Sequence, residues 1–361
     1  MINDNHVQHA GDSAQQIQAQ NVIVNIGITE QRARAIYNEM NALARQNYTQ
    51  EAYELACKRV SMLEEHLMQK VDQVNGLLEA FGDPSFQYLL VEAQKSVAAT
   101  EREADYALLS ELLACRVEKG EDRKIRTGIS HAVQIVDEID DDALCALTVS
   151  FALMEYLPVT GNCLEGLGVL NNLFEKLIYR ELPNGNDWTD HLDILGAIRC
   201  STLGKMTKVL DHLPKLLNGY VCAGIQINSS EYTHATQILA SKKIPTNFLV
   251  KNECLEGYVR LNISTFDSIS NLSFSTATGC VSLSDSQKDA VREVWKLYSN
   301  DKELQQRASE RFAELWDSYK ALRLLRSWWD AIPNSFTITQ VGEVLAYTNA
   351  KRLYPQIPDL L

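Results

Sequence analysis

The sequence predicts a mainly α protein: a multi-helix array or bundle with a short N-terminal β-segment and a small β-rich insertion near residues 246–283. Three observations predict it. Apolar residues recur at helical spacing through most of residues 29–245, and again after Ser284. The stretch GDSAQQIQAQNVIVNIGI, Gly11–Ile28, alternates with the period of a strand instead. Between 246 and 283, Thr, Ser, Val, Phe and Tyr concentrate around the turn points Gly257 and Gly279. Four segments follow: 1–28 as a β-strand oligomerisation segment, 29–82 as a long helical hairpin, 83–245 as a helical array, and 246–361 as the β insertion with the C-terminal helices.

Residues 1–10 are polar and carry neither a basic n-region nor an apolar core, so no signal peptide is expected. In the alternating stretch, Ile17 and Ala19 share one face, and Val22, Val24, Ile26 and Ile28 form a second set. The step from Ile17 to Val22 breaks period two and predicts a bulge or corner near Gln20 and Asn21. Thr29 then caps a helix with Ile36, Met40, Leu43 and Ala44 on one stripe. After a second cap at Thr49, the stripe Ala52, Leu55, Ala56, Leu63, Leu67, Val71, Val74 and Leu78 reads as one long helix. Gly82 ends a helix and Pro84 suits the first turn of the next.

Helical patterns then run at about 84–119, 121–138, 140–157, 163–182, 187–201 and 203–218. Their short connections imply antiparallel neighbours. Two to four short strands are expected between 246 and 283. Ser284 caps a long amphipathic helix whose stripe runs from Val291 to Leu325, with Asn300–Asp301 able to split it. The extended piece FTIT, capped by Thr339, leads into a final helix.

Charge and composition narrow the function classes. The net charge is −13. No Lys/Arg stripe with interleaved aromatics is present, so nucleic acid is not expected as a direct partner. No run approaches the roughly 18 apolar residues of a membrane span. The eight cysteines, at 57, 115, 145, 163, 200, 222, 254 and 280, follow no CxxC or Cys/His ligand spacing. They read as reduced, structural residues of a cytoplasmic protein. The phosphate-loop, dinucleotide, zinc-protease and nucleophile-elbow patterns are all missing, so no cofactor and no metal are expected.

Candidates for chemistry each compete with a structural reading. Asp187, Asp190 and His191 in NGNDWTDHLD share a helix face that could hold a metal or a general base. The competing reading is a helix start, with Asp187 as its cap. In TEREADYALLSELLACRVEKGEDR, a buried Asp105–Arg116 contact could orient helices or line a pocket; surface pairs are the default. His131 and His212 lie on otherwise apolar patterns and read as structural. Trp316, Trp328 and Trp329 read as core anchors, against an exposed aromatic patch.

The order Gly-Asp-Ser, Ile-Gln-Ala, Val-Ile-Val and Gly-Ile resembles the opening of a family of bacterial proteins in which a GDxSxxIQA strand motif precedes a helix. The likeness continues in FGDPSFQYLLVEAQKSVAATEREADYALLSELLACRVEKG, in IDDDALCALTV and in FTITQVGEVLAYTNA. The resemblance implies a strand-based assembly or recruitment element and, by analogy with immunity and signalling proteins that open alike, a place in defence against phage. It implies no activity and no cofactor.

Together these readings favour a non-enzymatic scaffold or sensor that oligomerises through Ile17, Ala19, Val22, Val24, Ile26 and Ile28. A lone strand of this size is marginal in water, and a second copy is the partner nearest to hand. Its further partners would be an effector or a phage-derived protein. The alternative is a defence effector enzyme acting on nucleic acid or a nucleotide, its site assembled from Asp187, Asp190, His191 and Arg116.

Overall fold

A computed structural model of the chain describes residues 28–44, 49–201, 203–276 and 279–358. Helices dominate, and most begin at a residue able to cap them. α1 (Glu30–Ala44) starts after Thr29, whose hydroxyl accepts from the Arg32 N–H at 3.2 Å. α2 (Gln50–Met68) and the one-turn α3 (Leu77–Ala80) follow. The expected long helix from Ala52 to Leu78 therefore stops at Met68. Gly76 sits in the left-handed region at φ +83° and turns the chain, while Val74 and Leu77 are still buried.

α4 (Pro84–Ala99) opens on the Asp83 carboxylate, which accepts from the Phe86 N–H at 2.9 Å, and carries proline in its first turn. The pattern read as one helix over 84–119 is broken at Thr100, and α5 (Glu103–Lys119) begins afresh. Arg102 marks the break. Its guanidinium donates to the carbonyls of Val136 (2.7 Å) and Ile139 (2.5 Å) and to Asp105 (3.0 Å) and Asp141 (3.0 Å). The buried Asp105 thus pairs with Arg102 and with Thr100 (2.5 Å), while Arg116, its expected partner, donates to Ser85 at 2.9 Å. Burial raises the Asp105 pKa, against the Thr100 and Arg102 contacts that lower it.

α6 (Arg123–Ile135), α7 (Asp141–Glu155) and α8 (Cys163–Leu177) each start behind a side-chain cap, from Asp122, Asp140 and Asn162. α9 (Asp187–Ile194) is shorter than the expected 187–201. Gly196, at φ +73°, ends it, and β1 (Ile198–Ser201) follows. β1 pairs antiparallel with β7 (Ser335–Ile338), the extended FTIT piece, in the register Ile198↔Ile338. That tertiary pairing across the chain is what overrides the local helical pattern.

α10 (Val209–Leu216) leads to a small three-stranded sheet in the order β2 (Ile225–Gln226), β4 (Tyr258–Leu261), β3 (Leu249–Lys251). α11 (Ser230–Ser241) lies between β2 and β3 in sequence. β5 (Ser273–Thr276) and β6 (Gly279–Ser282) pair separately, so the region 246–283 holds four strands, as its composition predicts. A capping box between Ser284 and Gln287 opens α12 (Asp285–Trp295). Asp301 caps α13 (Lys302–Ser318), so the chain does divide at Asn300–Asp301. It divides again before α14 (Lys320–Trp329).

α15 (Gln340–Leu353), capped by Thr339, is the spine of the body. It packs against α5, α6, α7 and α8, and every residue from Val344 to Ala350 is buried. Its Asn349 amide donates to Thr148 on α7 at 2.8 Å, satisfying both buried polar groups. The three tryptophans are core anchors. Trp316, Trp328 and Trp329 are buried, and their indole N–H groups donate to the carbonyls of Leu322, Pro183 and Thr207. Among the described residues the core forms two clusters: a large one through the helical body, and a smaller one under the three-stranded sheet, α11 and α12.

Candidate functional site

On the face carrying Asp187, Asp190 and His191, the histidine makes a packing contact. Asn186 precedes α9, both carboxylates are exposed, and the half-buried His191 uses Nε2 to accept the Asp140 N–H at 3.1 Å. His191 serves here as a hydrogen-bond acceptor at the start of α7. Among the described residues, no group of three or more His, Cys, Asp or Glu is placed to hold a metal ion. We expect His191→Ala to cost about 1 kcal/mol, the worth of one such bond, read from the urea midpoint. A loss several times larger would mean that the ring carries more than this contact.

His131 is exposed on α6. His212, also exposed, lies on α10 beside a small pocket of about 250 Å³ walled by Met154, Val209, Leu213 and Trp329. Of the six expected interface residues, Ile17, Ala19, Val22, Val24 and Ile26 lie outside the described residues. Ile28 is half-buried and packs on Gly82, with its Cδ1 2.9 Å from where a Cβ on that glycine would stand.

Two large concavities lie where the smaller core cluster meets the helical body. A cleft of about 1150 Å³ opens between α10, the end of α12 and α13. It is lined by the lysines Lys215 and Lys296, the amides Asn218, Asn300 and Gln305, and the indole of Trp295. A second cavity of about 810 Å³ lies between the β3–β4 turn and α13, and Glu310 borders both. Both are large enough for a small molecule, which typically occupies about 300–1,000 Å³. Trp295 stacks at 4.6 Å on Tyr298. The Tyr298 hydroxyl accepts the Leu261 N–H at 2.6 Å, and burial holds its pKa well above that of a free phenol.

Beneath the seam lies Arg260 of β4, whose side chain is 0% exposed. Nε and Nη2 both donate to one Glu253 oxygen, at 2.9 and 2.7 Å. Nη1 donates to the carbonyls of Gly219 (3.3 Å), Leu261 (3.1 Å) and Ile263 (3.3 Å), and the guanidinium lies 5.3 Å from the Tyr220 ring centroid. The other Glu253 oxygen accepts the Cys163 N–H at 3.0 Å, at the first turn of α8, where the helix dipole favours a carboxylate. One buried ion pair thus ties the small sheet to α8. Asn252 extends the junction: its carbonyl accepts the Cys254 N–H at 2.9 Å and its amide donates to the Cys222 carbonyl at 2.8 Å.

None of these groups stood out in the sequence. Arg260 interrupts YVRLNI at a place where an apolar residue would be ordinary, and a charge inside a strand of buried character is the signal that was there to be read.

A family model for uncharacterised proteins matches residues 27–360. The match begins past the GDSAQQIQAQ motif and spans the helical body. No curated protein and no solved structure matches the chain.

Proposed function

This chain belongs to that family of uncharacterised proteins, and we propose that it works as a self-assembling helical scaffold or sensor. Residues 11–28 join copies of the chain, and the body from Ile28 onward is the part that senses or presents. One observation carries the reading: the alternating, uncharged run Ile17–Ile28 sits directly before a helical body. Such a strand leaves a row of backbone donors and acceptors to satisfy, and identical strands from neighbouring copies satisfy them without any other protein. Three or more copies closing a ring would bury Ile17, Val22, Val24 and Ile26 and leave no free edge. Ile28, packed on Gly82, supports the reading by fixing where such a ring would meet the body. The seam cleft between the two core clusters is the place for a trigger molecule. A role in defence against phage, with an effector or a phage-derived protein as a further partner, rests on the resemblance of the opening motif alone.

Charge on the strand tests the assembly. The full chain carrying Val22→Asp and Val24→Asp should keep its helical circular dichroism and fall to the single-chain mass of 40.6 kDa by light scattering. Wild type should be larger. Equal masses for the two would remove the basis of the proposal.

A further inference from the structure

Cys163 and Cys254 are 91 positions apart in sequence and meet in space: the Cys163 N–H donates at 3.0 Å to the carboxylate of Glu253, the residue before Cys254, and the two thiols shift each other's ionisation. The surrounding bonds hold the pair in place. Cys163 opens α8, with its N–H on the Glu253 carboxylate, and Cys254 sits in the β3–β4 turn, with its N–H on Asn252. Both belong to the large core cluster, on the line where the sheet-bearing part meets the helical body. Their access differs. Cys163 is 0% exposed, whereas Cys254 is 5% exposed and forms part of the wall of the 810 Å³ cavity, together with Arg307 and Arg311.

From this juxtaposition we propose that Cys163 and Cys254 are an oxidisable dithiol, which hydrogen peroxide entering the cavity converts to a disulfide between α8 and the β3–β4 turn.

The electrostatics favour Cys254 as the reacting thiol. Burial pushes Cys115 and Cys222 up to about 12 and Cys145 up to about 11. Cys254 is shifted down instead, first by its contact with the Cys163 thiol and then by the Arg260 guanidinium nearby, against the burial that raises it; Cys163 is pushed up in return. The steps balance. The Cys254 thiolate attacks one peroxide oxygen, the O–O bond breaks, and the departing hydroxide takes a proton to leave as water. The sulfur is then a sulfenic acid. The Cys163 sulfur attacks it, the S–S bond forms as the S–O bond breaks, and the hydroxyl leaves with the Cys163 proton as a second water. Two thiols lose two electrons and one peroxide gains them. An excess of small-molecule thiol reverses the change through a mixed disulfide.

The test uses the full wild-type chain treated with hydrogen peroxide, alkylated and digested without reductant. A cross-linked peptide pair containing Cys163 and Cys254, lost on adding dithiothreitol, is the expected result. In Cys163→Ser, Cys254 has no resolving thiol, and a sulfenic acid trapped there by dimedone should rise well above the wild-type level. In Cys254→Ser, Cys163 should stay reduced. Recovery of both thiols fully alkylated under peroxide that oxidises the more accessible Cys57 and Cys200 would overturn the proposal. So would equal dimedone labelling of Cys254 in wild type and Cys163→Ser. The wild-type peptide map does not depend on either variant folding.

Discussion

Arg260→Met is expected to destabilise the protein by about 3–5 kcal/mol, the range for breaking a buried ion pair from one side. The cost is less the lost attraction than what stays behind. Glu253, at 17% exposure, would keep its charge without its partner. The carbonyls of Gly219, Leu261 and Ile263 would lose their shared donor, and Tyr220 its cation. Methionine keeps much of the volume, so a cavity is not the main term. A double variant, Arg260→Met with Glu253→Gln, should recover a large part of the loss, because no unpaired charge is left. Urea unfolding measures both. A loss under 1 kcal/mol for the single variant would mean that the ion pair does not hold the seam.

The second large effect is expected at Gly342. In an exposed helix, Gly→Ala is favourable by about 1 kcal/mol. Here a Cβ would stand 2.0 Å from the Ala197 carbonyl oxygen and 2.9 Å from its carbon. Both are backbone atoms, and neither can yield by changing rotamer. Thr339 fixes that approach by donating from its hydroxyl to the Gly196 and Ala197 carbonyls and from its N–H to the latter. α15 would therefore have to move off β1 while packed against α5 to α8. Overpacking of this kind costs about 1–3 kcal/mol and sometimes more, so the clash outweighs the propensity. Gly342→Ala should lower the thermal midpoint by several degrees, since about 1 kcal/mol moves it by roughly 2–4 °C in a chain of more than 150 residues. Gly168 in α8 is the control. A Cβ there meets only the Tyr319 hydroxyl oxygen at 4.0 Å, so Gly168→Ala should be neutral or stabilising. A stabilised Gly342→Ala would refute the close approach.

These two sites also show where a sequence is readable and where it is not. Local signals transferred well. The caps read at Ser284 and Thr339 each accept a backbone donor three residues on, and Pro84 opens α4 as read, so their chemistry sits in one short stretch. The composition of 246–283 announced strands for the same local reason. Boundaries set by distant partners did not transfer. Residues 198–201 continue a helical pattern but pair with 335–338, and Thr100 breaks a continuous stripe because Arg102 is drawn to the end of α6 and the start of α7. The same holds for function. Asp187, Asp190 and His191 formed the densest polar cluster in sequence, yet His191 is spent on the Asp140 N–H. The seam is assembled from Cys163, Tyr220, Glu253 and Arg260, whose spacing carries no periodic signal. Its only mark in the chain was an arginine where a strand had every reason to be apolar.

Self-assembly through residues 11–28 is the central functional reading, and the mass of the intact particle tests it most directly. Native mass spectrometry of the full wild-type chain should give a closed oligomer of at least three copies, a whole multiple of 40.6 kDa. A single-chain mass that persists across the accessible concentration range would contradict it.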